Sequence, residues 1–396
     1  MKCFFMINNN LSISNVKLSF HNGCKELSAT VDGDLIFFRV PEGFDLFSVA
    51  ECFIGIALLE AMISNRNLVV DEVAISSKLY NRLIDIQEIY SCWNPNLNIV
   101  DIEASTTSEI ASYKNIGSFF SAGVDSTHTL LRNSEDITHL IIFRAFDTGN
   151  DKASWEARLK KQESFAKSIG KLIIPVETNA REWTDKRRIS WEFVHGLFLS
   201  SAGGSLGMRR VYVPSSHTYD ELFPWGSHPL TDPMWSTEST QVIHDGAGSR
   251  RGDKIRDILK SDLLADNLQV CWRSTHQNCG TCPKCIRSMV AIHLLGGKSK
   301  SLPAFSDKSL LRFLKPTDES GATFLEDALL LAKASENIKI YRTLKKYYRN
   351  YKLKLVMHSI DRILLNSFVR SLYRKLNKPY WLSLRVTLRG ANRWDI

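Results

Sequence analysis

Apolar and polar residues alternate over residues 11–20, with a slip in phase near Ser14 and Asn15. A period of two predicts a strand. Residues 34–40 read as a second strand, entered through the turn signal Asp32-Gly33. Residues 45–64 are rich in Ala, Leu and Ile and predict a helix, with Asp45 as its N-cap. Short strands are expected over 69–75 and 98–104. No catalytic motif falls in this part. It reads as a small α/β unit over residues 1–110, closed by the polar stretch 106–114.

Strand and helix patterns then alternate up to about residue 300. Strands are predicted over 116–120, 139–146, 171–176 and 211–214. Helices are predicted from Ser126 to Leu131, over 151–169 and over 191–202. The second helix sets Trp155, Leu159, Phe165, Ala166 and Ile169 on one side, and the third is apolar almost throughout, hence buried. This order predicts an α/β fold: a mostly parallel, doubly wound sheet with helices on both faces. Ligands in such sheets bind beyond the carboxyl ends of the strands. The expected organisation is a unit over 1–110, a central domain over 111–305 and a helical region over 306–396. There is no internal repeat and no low-complexity segment.

Length and composition add little to this. The 396 residues suit about two domains, and 44% hydrophobic with 23% charged residues is ordinary for a globular protein. Residues 1–11 lack the apolar segment and cleavage site of a secretory signal. The run 52–59, between Glu51 and Glu60, is too short to cross a bilayer. The chain is therefore expected to be cytoplasmic, without a transmembrane segment.

Charge changes the picture more. The net charge is +9, but residues 341–396 hold 14 Lys or Arg against 2 Asp or Glu, which leaves −3 for the rest. Tyr347, Tyr348, Tyr351, Phe368, Tyr373 and Trp381 interleave with these basic residues, and Ile363, Leu364, Phe368, Val369, Leu372 and Tyr373 show amphipathic spacing. A nucleic-acid surface, an anionic-membrane surface and a solvated helical cap or partner face all fit this tail.

The segment Ser121-Ala122-Gly123-Val124-Asp125-Ser126-Thr127 follows a strand and opens a helix. Small residues let the backbone approach a ligand, and the unpaired N–H groups of a helix start favour an anion. Ser121, Ser126 and Thr127 add hydroxyls. Asp125 repels a phosphate directly, so N-capping or Mg²⁺ binding is its expected work. An ordinary strand-to-helix turn uses the same residues. Gly297-Lys298-Ser299 matches only the end of a Walker motif, because Ile292 stands where its first glycine belongs.

Cys271, Cys279, Cys282 and Cys285 form C-x7-C-x2-C-x2-C, with Gly280 and Pro283 in the short loops. The spacing favours tetrahedral Zn²⁺ in a closed, structural site. An iron–sulfur cluster and plain thiols are the alternatives. No His-x-Glu occurs, which removes the zinc deaminases. The other four cysteines, Cys3, Cys24, Cys52 and Cys92, stand apart and read as ordinary thiols.

Ser-x-Gly-x-Asp-Ser-Thr after a first parallel strand resembles the PP-loop of ATP pyrophosphatases, with Ala122 where the family has the first of two glycines. With Cys279-Gly280-Thr281-Cys282-Pro283-Lys284-Cys285-Ile286-Arg287 downstream, the chain resembles 7-cyano-7-deazaguanine synthase and its relatives over roughly residues 115–300. Arg287 falls one position earlier than in that motif. The resemblance implies an adenine nucleotide α-hydrolase-like fold, with ATP, Mg²⁺ and Zn²⁺ as cofactors. It also implies adenylation of a carboxylate or carbonyl substrate, attack by ammonia or an amine, and release of AMP and pyrophosphate. Residues 121–127 and Phe143 are then expected at the nucleotide, and Asp125, Arg251 and Lys254 in the chemistry. A relative that modifies tRNA or a partner protein, with a role in phage defence, and a non-catalytic nucleotide-binding module are the other expectations. Residues 215–260 are rich in polar and aromatic side chains and suit a substrate pocket. There Arg250, Arg251 and Lys254 are candidates for an anion, and His228 and His244 for a base.

Overall fold

Two tight turns start the fold, Asn22-Gly23 with φ 50° and 73° and Asp32-Gly33 with φ 50° and 83°. Positive φ at both central residues matches the twist of paired strands. β1 (Asn10–His21), β2 (Cys24–Val31) and β3 (Asp34–Pro41) accordingly form an antiparallel meander. The computed structural model describes residues 10–144, 152–274, 277–365, 368 and 372. The phase slip in the first strand is a bulge: Asn15 has φ 53°, and the ladder shifts register between Ser14 and Lys17. β2 lacks a clean alternation because Leu27, Ser28 and Ala29 are all buried.

Next come α1 (Glu51–Ser64), β4 (Asn67–Ser76), α2 (Ser77–Trp93) and β5 (Ile102–Thr107). The first helix begins at Glu51 rather than residue 45; Ala50 is its N-cap, and Asp45 lies in irregular chain before it. The following elements are β6 (Asn115–Phe119), α3 (Val124–Arg132), β7 (His139–Phe143), α4 (Lys152–Ser168), β8 (Leu172–Thr178), α5 (Ala180–Lys186), α6 (Trp191–Ala202), β9 (Met208–Pro214) and β10 (Gln241–Asp245). Helices α7 (Arg251–Ile258), α8 (Asp262–Asp266), α9 (Pro283–Leu294), α10 (Glu319–Ala334) and α11 (Ile338–Leu365) follow.

All ten strands form one sheet, in the order β10-β9-β6-β7-β8-β3-β2-β1-β4-β5. The run from β10 to β8 is parallel, as is β1-β4-β5, and the strands between are antiparallel. The join is short: β3 meets β8 at Phe38–Thr178 and Arg39–Glu177. Asn179 lengthens it, accepting the Phe37 N–H at 3.1 Å and donating to the Leu35 carbonyl at 2.8 Å. The strands before and after the polar stretch 106–114 thus share one sheet. Thr106 and Thr107 end β5, and 108–114 is an exposed connection.

Alternation along the parallel strands sorts side chains into two cores. Phe119, Ile141, Phe143, Ile174, Val211 and Val213 pack with α1 and α6. Ile116, Leu140, Ile142, Ile173 and Tyr212 pack with α3, α7 and α9. Helices therefore cover both faces. At Gly55 a Cβ would stand 2.2 Å from Ser201 Oγ and 2.7 Å from the Leu197 carbonyl, so α1 and α6 cross where only glycine fits. This crossing and the shared core fix the first three strands relative to the central ones.

The last helices pack on the second core through Leu325, Ala328, Leu331, Ile340 and Leu344. Among the described residues, no helix is long and apolar enough to cross a membrane. Residues 366–367, 369–371 and 373–396 of the expected basic tail, Val369 of its amphipathic stretch among them, lie outside the described residues, as do 145–146 of the second central strand and Asp151 at the start of the helix expected there.

Candidate anion site and cysteine cluster

From β6 the sheet runs to β7 and β8 on one side and to β9 and β10 on the other. The crevice at the carboxyl ends of β6 and β9 is thus a topological switch point, where sheets of this kind bind ligands. The loop after β6 crosses it. Ala122 sits there at φ 57°, a conformation costing an L-residue about 1–2 kcal/mol. Its methyl group is buried in the second core, so it does not fill the mouth of the loop.

The loop is braced internally. Ser126 Oγ accepts the Ser121 N–H at 3.2 Å and donates to the Gly123 carbonyl at 3.2 Å; Ser121 Oγ accepts the Gly123 N–H at 3.3 Å. Arg158 Nη2, from α4, donates to the Ser121 carbonyl at 3.0 Å. The Ser126 hydroxyl is therefore spent on loop geometry rather than held out to a ligand, and Thr127 is buried. Gly123 is the N-cap of α3 and no side chain caps the helix. The first-turn N–H groups of Val124, Asp125 and Ser126 have no intrahelical acceptor, and the dipole adds partial positive charge there.

Asp125 is not the cap. Its two oxygens go to two cations one turn apart on α7: Arg251 Nη1 to Oδ2 at 2.9 Å and Lys254 Nζ to Oδ1 at 3.1 Å. Burial raises the carboxyl pKa, but Lys254 and then Arg251 outweigh it and bring it down to about 2. Each oxygen of Asp125 is thus paired with one cation, which neutralises the carboxylate within the site. Lys254 is fully buried and also donates to the Ser215 carbonyl, just past β9, at 2.6 Å. It ties the ends of β6 and β9 together through Asp125.

Three further side chains stand at this cluster. Arg287, on α9, stacks over the Phe324 ring at 3.7 Å, and Arg251 lies over the same ring at 5.6 Å. Burial first, and then Arg251, pushes the Arg287 pKa down to about 9. His217 packs beside Phe324, Phe223 and Trp225; burial holds it neutral, at about 3, and its Nε2 is buried without a partner. Arg251, Lys254 and Arg287 face the one carboxylate of Asp125, with Asp318 acting on Arg287 and Asp327 on Arg251 as well. Phe324 and Arg158 carry no motif in the sequence. Arg287 does carry one, as the residue closing the cysteine segment.

Other expected residues fall elsewhere. Arg250 is paired with Asp220 and Glu221 rather than held at the loop. His244 Nδ1 is 2.7 Å from Asp232, and the same carboxylate accepts the Ser227 hydroxyl and the His228 N–H. His228 and His244 thus form their own buried group around Asp232. Phe143 is buried with Phe119 and Phe198 in the first core, on the opposite face of the sheet from the loop's hydrophobic side, because strand alternation points it there.

The sulfurs of Cys271, Cys279, Cys282 and Cys285 lie within 4.8 Å of one another. Cys279 and Cys285 are 4.0 Å apart, and Cys271 and Cys282 3.9 Å. Four thiolates around one zinc at about 2.3 Å stand about 3.8 Å apart, so the four can hold a single metal ion such as zinc. Backbone N–H groups of Arg273, Thr281, Cys282 and Cys285 point at the sulfurs at 3.3–3.4 Å, as acceptors bearing negative charge require. Cys282 also caps α9.

No known protein family, curated protein or solved structure matches this chain.

Proposed function

We propose that the chain is an ATP-dependent adenylating enzyme, in which the loop after β6 holds ATP phosphates and a carboxylate substrate is activated for attack by ammonia or an amine. One observation carries the reading: an uncapped helix start at a switch point, with Arg251 and Lys254 converging on Asp125 in its first turn. The N–H groups of the first turn of α3, with Arg251 and Arg287, would neutralise the departing pyrophosphate. Electrostatic stabilisation of that kind is commonly the largest catalytic term. Asp125 and Lys254 act as positioning residues that set the angle of Arg251 and close the gap between β6 and β9. In the step itself a carboxylate oxygen attacks the α-phosphorus and the bond to the β-phosphate oxygen breaks. The nitrogen nucleophile then displaces AMP from the acyl group. Mg²⁺ arriving with ATP would be held by the phosphates rather than by Asp125. Zinc in the cysteine site would be structural, since all four of its ligands come from protein.

A pyrophosphate-release screen with ATP, ammonia and candidate carboxylates, 7-carboxy-7-deazaguanine among them, tests this. Release that depends on one carboxylate and falls at least about a hundredfold in Arg251→Ala is expected. Release that is undiminished in Arg251→Ala and Asp125→Ala, or absent with every carboxylate alongside absent ATP binding, sinks the reading.

A further inference from the structure

Helix α11 has two unlike faces. Ile340 and Leu344 are fully buried against the second core, with Tyr347 and Tyr348 packed beside them. Leu353, Val356, Met357, Ile360, Ile363 and Leu364 are instead between 49% and 73% exposed. At 100° per residue these six fall within an arc of roughly 120°. Lys352 and Lys354 flank that arc, one on either side. Over the preceding turns the same outward direction carries Arg342, Lys345, Lys346 and Arg349, all exposed. Residues 338–365 hold eight Lys or Arg and one acidic residue, Asp361.

We infer that this face of α11 is a docking surface for an anionic lipid bilayer, which it meets lying flat. The arrangement fits that occupant in two respects. Aliphatic side chains can enter the acyl boundary, while long basic side chains beside them reach the headgroups. Negative surface potential complements the cationic turns that lead into the stripe. A second copy of the helix fits less well, because two such strongly positive surfaces repel. Single-stranded nucleic acid calls for aromatic platforms, and Tyr347 and Tyr348 are packed against the protein rather than free on this face.

The test is co-sedimentation of the full chain with vesicles of phosphatidylcholine alone or mixed with phosphatidylglycerol, at low and high salt. Binding to the mixed vesicles only, weakened by salt, is expected. The double variant Ile360→Glu/Leu364→Glu should bind at least about tenfold more weakly with an unchanged melting temperature, since both side chains are exposed. Lys345→Gln/Lys346→Gln, on the adjacent cationic turns, should weaken binding to the mixed vesicles as well. No sedimentation with mixed vesicles, or sedimentation indifferent to the glutamates, overturns the inference. So does a dimer in sedimentation equilibrium that the glutamates dissociate, or RNA binding that the glutamates leave intact while vesicle binding is absent.

Discussion

The carbonyl of Ala122 accepts the backbone N–H of Gln269 at 2.7 Å. Gln269 lies two residues before Cys271, so the loop at the end of β6 is tied to the strand of chain that enters the cysteine cluster. A second tie runs from the other end of that cluster. Cys282 caps α9, and Arg287 on its second turn stacks on Phe324 beside Arg251. Metal held by the four cysteines would therefore brace the loop after β6 from two directions. Stripping the metal with a chelator, or replacing Cys282 with Ser, should lower the melting temperature and weaken ATP binding together. Metal analysis should find one zinc per chain in the intact protein. ATP affinity unchanged after complete metal loss would separate the two sites.

Asp125 sits between two cations and forms an ion pair with each, Arg251 at 2.9 Å and Lys254 at 3.1 Å. Its folded pKa lies below its ordinary value of 3.8, at about 2. A depressed carboxylate stabilises the fold above the unfolded pKa, and this stabilisation fades as pH falls through the folded one. The window is therefore about pH 4 down to pH 2, and the contribution about 2 kcal/mol. Asp125→Asn should cost more than that at neutral pH, about 3–5 kcal/mol, because it leaves Lys254 buried without its counter-charge. Urea unfolding at pH 7 measures the loss. A double variant Asp125→Asn/Lys254→Met should recover part of it, and failure to recover any would place the cost elsewhere.

Ala122 tests the loop itself. Glycine there would relieve about 1–2 kcal/mol of left-handed strain but lose a buried methyl worth about 0.8 kcal/mol and add freedom to the unfolded chain. Ala122→Gly should therefore leave stability within about 1 kcal/mol of the parent, with ATP binding intact. Ala122→Val should be destabilising by about 1–3 kcal/mol, since a β-branched side chain resists positive φ and its added methyls overpack the second core. Thermal unfolding of the pair, run side by side, gives the comparison. Equal stability of the two variants would contradict the left-handed geometry.

Strands β6 to β9 and helices α3, α4 and α6 were legible as buried apolar runs or clean periods, 191–202 being α6 to the residue, whereas the parallel edge strand β10 lay hidden in the polar stretch 215–260. The loop and the cysteine spacing were legible as local motifs. Long-range partners were not. Nothing in the sequence pairs Asn179 with residues 35–37, or brings Arg158 from α4 to the Ser121 carbonyl. Helix α2 escaped because its mean polarity hides Leu79, Leu83, Ile86 and Tyr90 on one buried face. Among the arginines of residues 250–251, adjacency in sequence was misleading: Arg250 lies just before the helix and turns to Asp220 and Glu221, while Arg251 turns inward to Asp125.

His217 offers the last test, through pH. Its ring is boxed by Phe223, Trp225 and Phe324 at 4.6–5.5 Å between centroids. Burial holds it neutral with a folded pKa of about 3, and Lys254, Arg287 and Arg251 push the same way against Asp125. The unfolded chain takes up this proton near pH 6.5 and the folded chain does not, so stability rises with pH between about 3 and 6.5. At pH 5 the loss is about 2 kcal/mol relative to pH 7.5. His228, held at about 4 by burial, and His128, also lowered, add losses of the same sign. His217→Gln should flatten the stability profile between pH 6.5 and 4 by its own share while leaving theirs. In the parent protein, the histidine resonance that disappears in this variant should not titrate above pH 4. A resonance titrating near 6.5 would mean that His217 is open to water and that the aromatic box beside Arg287 is not closed.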